Sequence, residues 1–328
     1  MTKLYPLKFE TIFKDKIWGG QKIKTILGKD FGDLPNCGET WEISGVDGNI
    51  SVVAEGPLAG KNLQDLIHEY QGQLVGDRIY QHYGDRFPLL VKFIDANADL
   101  SIQVHPDDAL AKQRHDSFGK TEMWYIFQAD DGASLISGFN QPMDREKYLK
   151  YFEEGKLMDI LNREPVQDDD VFFLPAGRVH TIGKGLLLAE IQQTSDITYR
   201  IYDFDRRDDQ GNTRELHVEE ALDAIDYQYY DHYKTRYEPQ TNEPVTLATC
   251  PYFETYRLDY TENTTRNYAD RDSFTIYVCT EGSAQLRCNG QPYAMEKGDA
   301  YLIPASIEEV IIETTTGFNM LESFVPRS

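Results

Sequence analysis

Apolar and polar residues alternate along this chain in short runs, and that period of two dominates its pattern. The runs FPLLVKFID, LSIQVH, EMWYIFQA, VFFLPA, LLLAEIQQ and TYRIYDF come first, followed by FTIYVCT, AQLRC and AYLIPA. Gly, Pro and Asp bound them and punctuate strands, so the pattern predicts a mostly β chain built as a sandwich or barrel. A helical period appears in fewer places. Residues 62–83 and 144–164 each read as a helix, with Asn62 and Asp144 as N-caps, and 218–227 as a shorter one. The polar, Tyr-rich stretch 226–244 reads as the link from a first unit over 1–240 into a C-terminal β unit over 245–328.

At 328 residues the chain can bury more than one core. Its formal charge of −22 excludes nucleic acid and anionic membrane as partners, since both need a basic footprint. Any anionic substrate must then meet a local cluster of Lys and Arg set against the global field. No apolar run approaches the roughly 20 residues of a bilayer span, and the first residues, MTKLYPLKFE, lack a signal peptide's apolar segment. Cys37, Cys250, Cys279 and Cys288 form no CxxC pair and read as reduced thiols of a cytoplasmic protein. No heptad seam or apolar helix face stands out, which makes a monomer the expectation.

Candidate chemistry concentrates in DLSIQVHPDD, residues 99–108. Leu100, Ile102 and Val104 fall on one strand face; Ser101, Gln103 and His105 fall on the other. In GKTEMWYIF, Lys120, Glu122 and Trp124 share a face opposite Met123, Tyr125 and Phe127. FFLPAGRVHTIGKGLLLAEIQQ reads as strand, turn, strand, tight turn and strand. With Gly183, Lys184 and Gly185 as the loop of a hairpin, His180 lies opposite Leu188, and Glu190 becomes its diagonal neighbour on the same face. Two imidazoles, a carboxylate and an amide suit a borderline metal such as zinc. Spacing alone leaves blander readings open: a histidine after a strand is commonly just hydrogen-bonded, and LPAG before a histidine is first of all a turn.

The step from Pro175, Ala176 and Gly177 to His180, with an upstream Gln103-x-His105 strand and Glu122, resembles the metal site of the cupin β-sandwich. LVKFIDANADLSIQVHPDD, GKTEMWY, FFLPAGRVHTIGKGLLLAEIQQTSDITYRIYDFDR and the early IWGG together resemble the type I phosphomannose isomerases in their short bacterial form. The likeness covers most of the chain to about Arg206. The HxH of many cupins is Gln103-x-His105 here, which that family shares. The Lys-Pro-Glu of longer relatives is Lys120, Thr121, Glu122, with the side-chain order intact, and the long helical insertion of eukaryotic members is absent. The resemblance implies two cupin-like (jelly-roll) β-sandwich units, with a few helices inserted in and around the first. The late EKGDAYLIPASIEEV repeats the Gly-Asp and Pro-Ala framework, but Ser306 replaces the turn glycine and residues 245–328 contain no histidine. That unit is expected to hold no metal and to serve packing.

The family interconverts mannose 6-phosphate and fructose 6-phosphate, so the resemblance implies a sugar-phosphate substrate. It also implies one Zn2+ per chain, held by His105, Glu122 and His180 with Gln103 as a neutral fourth ligand. Arg200, Lys120 and Glu190 are the implied catalytic groups, and Ser101, Lys92 and Trp18 the implied substrate-binding ones. Beside a dication the Lys120 ammonium is expected to acidify, which would let it exchange protons near neutrality. Trp124 is expected in the core, and Glu39 and Glu42 of CGETWEIS as structural or rim residues. The identity of the base stays open. A sugar-phosphate-binding regulatory cupin without turnover would need fewer acid–base groups than these, and a cupin oxygenase would want an iron site richer in histidine.

Overall fold

The computed structural model describes residues 2–207 and 210–327. The alternating runs pair into antiparallel sheets. A seven-stranded sheet has the order Ile12–Lys14, Glu39–Ile43, Leu89–Ala96, Leu186–Gln193, Glu122–Ala129, Val171–Leu174, Lys234–Thr235. A five-stranded sheet has the order Tyr199–Tyr202, Ile102–Val104, His180–Thr181, Ser134–Phe139, Leu161–Pro165. They pack as a sandwich, with Ile94, Trp124, Ile126, Leu135 and Leu188 in one cluster between them.

Leu89–Ala96 and Leu186–Gln193 are buried on both faces, which explains why they read as nearly continuous apolar runs. Leu89, Val91, Phe93, Leu187, Ala189 and Ile191 face the largest core, shared with the N-terminal segment, helix Leu63–Tyr70 and the C-terminal Phe274, Ile276 and Leu302. The third sheet has eight strands, Val245–Thr249 through Phe318–Phe324. It keeps a core of its own around Tyr277, Leu286, Met295 and Met320, and buried Glu322 inside it is ion-paired to Arg266 and Arg271. FTIYVCT and AQLRC, predicted as two strands, are one strand, Thr275–Cys288, with a register shift between Cys279 and Glu281.

Both predicted caps form: Asn62 accepts from Asp65 N, and Asp144 accepts from Lys147 N. The helices behind them are shorter than their period suggests. Residues 62–83 hold three, Leu63–Tyr70, Gly72–Val75 and Asp77–Tyr83. The second break falls at Gly76, with φ 101°, where a Cβ would stand 2.5 Å from the Asp272 carbonyl oxygen. In 144–164 the helix covers Arg145–Glu153, a 3-10 turn covers Leu157–Ile160, and Leu161–Pro165 joins the five-stranded sheet. The third helix is Val218–Ala224. No helix among the described residues is long and apolar enough to cross a membrane.

One predicted pairing is overturned. His180–Thr181 does not form a hairpin with Leu186–Gln193. His180 pairs with Gln103 and Ser137 in the smaller sheet, whereas Leu188 pairs with Ile94 and Ile126 in the larger. The Gly183, Lys184, Gly185 tripeptide carries the chain from one layer of the sandwich to the other. It is pinned by Leu100 N to Ile182 O at 2.9 Å and Gly185 N to Ala96 O at 2.7 Å. At Gly183 a Cβ would sit 1.8 Å from Ser134 O, so the crossing backbones must separate to admit any side chain. Gly183→Ala is expected to cost about 1–3 kcal/mol, the range for forcing extra volume into a packed site. An unchanged midpoint in urea unfolding would contradict that close approach.

Candidate metal centre

Both layers of the sandwich contribute to one buried cluster. Gln103 and His180 are register partners in the smaller sheet, and His105 follows its strand Ile102–Val104. Glu122 opens the strand Glu122–Ala129 of the larger sheet, paired with Leu174 and Gln192. Ligand atoms of His105, Glu122 and His180 lie within 4.8 Å of one another. His180 Nε2 is 3.2 Å from Glu122 Oε1, and His105 Nε2 is 3.7 Å from Glu122 Oε2.

The donor chemistry fits a divalent cation. His105 Nδ1 lies 2.8 Å from Ile197 O and His180 Nδ1 lies 2.7 Å from Arg178 O. These bonds place the ring N–H on Nδ1 and turn each Nε2 lone pair inward, the tautomer a metal requires. Burial pushes His180 down to about 4 and, with the ammonium of Lys120 nearby, holds His105 well below the usual histidine range. Both rings are thus neutral. Glu122 is fully buried; its Oε1 has no hydrogen bond, and its Oε2 faces the ammonium of Lys120 at 3.0 Å. Burial, with the charge of Glu190 close by, drives its carboxyl upward. A buried carboxylate oxygen left without a partner, as Oε1 is, is costly unless a further cation meets it.

A row of alternating charges runs beside this cluster. Lys120 Nζ is 3.0 Å from Glu122 Oε2 and 3.8 Å from Glu190 Oε1; Lys92 Nζ is 3.0 Å from Glu190 Oε1. Trp124 Nε1 donates to Glu190 Oε2 at 2.8 Å, and its ring meets the His180 ring edge-on. Trp124 is therefore core, as expected, and also fixes one oxygen of Glu190. Burial works against the Glu190 carboxylate, but Lys120 and Lys92 hold its pKa well below the ordinary value. The Lys120 ammonium is set by its two carboxylate neighbours. Burial works to lower its pKa, but Glu122 and Glu190 hold it above the ordinary lysine range.

A cavity of about 370 Å³ opens between the sheets onto this row. Ser101, Gln103, Lys92, Lys120, Glu190, Arg200 and Trp18 all line it, while His105, Glu122 and His180 lie one side chain deeper. Arg200 is the register partner of Gln103. Glu39, read as a rim residue, also lines the cavity and accepts from Trp41 Nε1 at 2.9 Å; Glu42 is instead buried on Lys29. The sequence reading passed over Lys16, Trp41, Asp196, Thr198 and Arg214, which complete the wall. Asp196, Thr198 and Arg200 share one parity, a signal that was available; Arg214 lies in irregular chain and gave none. A larger hollow, about 840 Å³, lies around Tyr5 and Tyr293 at the C-terminal unit. Its lining has no histidine, so size does not mark the chemistry.

An antiparallel sandwich whose two layers converge His, Glu and His on one buried point is a cupin with a candidate metal centre. Residues 6–125 match the family model for the phosphomannose isomerase type I catalytic domain, and 243–319 that for the mannose-6-phosphate isomerase cupin domain. The mannose-6-phosphate isomerase ManA of Bacillus subtilis is 35% identical, covering 94% of this chain and 96% of its own. The chain belongs to the type I phosphomannose isomerase family and is an enzyme. The mannose-6-phosphate isomerase of Streptococcus mutans is 34% identical over 92% of this chain and 93% of its own. A crystal structure of the mannose 6-phosphate isomerase from Bacillus subtilis superposes with a TM-score of 0.86 at 32% identity, covering 97% of this chain and 99% of that one.

Proposed function

We propose that this enzyme interconverts mannose 6-phosphate and fructose 6-phosphate, moving a proton between C1 and C2 through an enediol. Zinc is the proposed ion, held by His105, Glu122 and His180, with Gln103 as a neutral fourth donor. Bound there, a divalent ion supplies Lewis-acid polarisation of substrate oxygens. The reading rests on one observation above all: the His, Glu, His cluster lies beneath a cavity whose floor carries Lys120.

Lys120 lines the cavity beside the cluster and is the proposed acid–base group, entering as the ammonium and so giving a proton before it takes one back. Both oxygens of Glu190 are engaged, by Lys92 and by Trp124. That supports a role for Glu190 in orienting Lys120 rather than in reaching the substrate. Ser101 and Trp18 offer a hydroxyl and an apolar face to the sugar, and Arg200 supplies a permanent cation toward the open side. A regulatory sugar-phosphate sensor would have little use for the buried Lys120, Glu190 and Lys92 row. In this reading residues 1–240 form the catalytic unit and 245–328 a packing unit without metal ligands. Four unpaired thiols are compatible with a cytoplasmic setting.

Chelation tests the proposal. Stripping the ion is expected to abolish formation of fructose 6-phosphate in a coupled assay, and adding zinc back to restore it. Full turnover at no measurable metal content would overturn the chemistry.

A further inference from the structure

The cations lining the cavity differ in how they are paired. Lys16, Lys92, Lys120 and Arg214 each have a carboxylate at ion-pair distance: Glu39, Glu190, Glu122 and Asp203. Among the described residues Arg200 has none. Its Nη1 donates to Glu215 O at 2.8 Å, while its Nε is buried without any acceptor. The free edge of that guanidinium is the Nε and Nη2 fork, the edge that fits two oxygens of a carboxylate or phosphate side by side.

The segment that follows adds more positive charge. Arg214 turns its own Nε and Nη2 fork onto Asp203, at 2.7 and 2.5 Å, and Arg206 donates to the same carboxylate at 3.0 Å. Two guanidiniums thus share one buried carboxylate, while that of Arg200 is left without one. Arg200 and Arg214 both reach the cavity wall. Further bonds tie the Arg214 segment to the strand that carries Arg200: Arg200 N donates to His217 Nδ1 at 3.1 Å, and His217 N to Arg200 O at 2.7 Å. Burial lowers the Arg200 pKa, and the like charges of Arg214 and Arg206 add to that. In a chain of formal charge −22, this local surplus is the answer to where an anion could be held.

We infer that Arg200 and Arg214 together anchor the phosphate of the substrate, Arg200 through its free fork and Arg214 from the side, with Asp203 as the positioning residue that keeps Arg214 aimed at the wall. Asp203 neutralises only part of the cluster, so the site keeps the charge a phosphate dianion needs. This assignment rests on the sugar-phosphate reading of the cavity. It gives Arg200 a task at the end of the substrate remote from C1 and C2.

The test uses inorganic phosphate as a probe, both as a competitive inhibitor of mannose 6-phosphate turnover and in calorimetric titration of the full chain. Arg214→Ala is expected to raise KM and the phosphate inhibition constant together, by about ten- to a hundredfold for the loss of a charge-assisted contact, and by more than it lowers kcat. Asp203→Asn keeps every arginine but loosens the clamp, and is expected to raise both constants by a smaller factor. Arg214→Lys is expected to recover part of the loss; together with Asp203→Asn it provides the same readout if Arg214→Ala does not fold. Unchanged KM and phosphate constant in Arg214→Ala overturn the anchor, as does a fall in kcat alone. If the unmodified protein binds phosphate through Arg214 yet does not turn over mannose 6-phosphate, the isomerase reading fails and the anion site stands. If turnover is normal and phosphate binding ignores Arg214, the anchor fails and the isomerase reading stands.

Discussion

Replacing His180 with alanine is expected to remove bound zinc and turnover together while the chain still folds. The ring is neutral and fully buried, so its loss changes no formal charge. What goes is one of three converging donors, and with it the bond from Nδ1 to Arg178 O that aims the ring. Glu122 Oε1, 3.2 Å from that imidazole, is left facing an enlarged hole. A bound ion contributes several kcal/mol of charge stabilisation, so turnover is expected to fall by about a thousandfold or more. Metal content after dialysis against buffered zinc, read beside the coupled assay, decides the matter. Stoichiometric zinc in His180→Ala would remove that residue from the ligand set.

Lys120→Met should separate proton transfer from metal binding. Losing a positioned acid–base group typically costs about 10² to 10⁴ in rate, so kcat is expected to drop by that much with zinc retained. Lys120 and Lys92 balance Glu122 and Glu190 in the buried row, and the substitution leaves two carboxylates facing one ammonium. Thermal stability is therefore expected to fall as well, because breaking a buried pair exposes its partner's desolvation. Adding Glu190→Gln restores the balance. The double variant is expected to regain melting temperature without regaining kcat. Undiminished kcat in Lys120→Met would take that residue out of the chemistry.

Much of this site is legible in strand parity alone. Ser101, Gln103 and His105 emerge on one face, as do Lys120, Glu122 and Trp124, because a period of two survives whatever sheet the strand joins. The partner sheet is what parity does not record. Gly183, Lys184 and Gly185 look like a hairpin turn in sequence, yet the same residues let the chain change layers, and only packing against Ser134 distinguishes the two. His180 and Glu190 still meet the same cavity region, from facing layers rather than from neighbouring strands. The caps at Asn62 and Asp144 are local chemistry and read correctly, whereas the break at Gly76 depends on a distant backbone at Asp272. Arg214 escaped notice because its place is set by Asp203 and by contacts around His217, not by any repeat.

The sheet that carries Lys92 and Glu190 has no solvent-facing side at its centre. Phe93 and Ala189 sit next to them in sequence but belong to the opposite layer, pressed against residues from both ends of the chain. Lys92 and Glu190 therefore inherit their positions from interior fit on the far side of a shared partition. Mutational drift among those hydrophobic neighbours would be constrained by the enzyme's rate as well as by its folding.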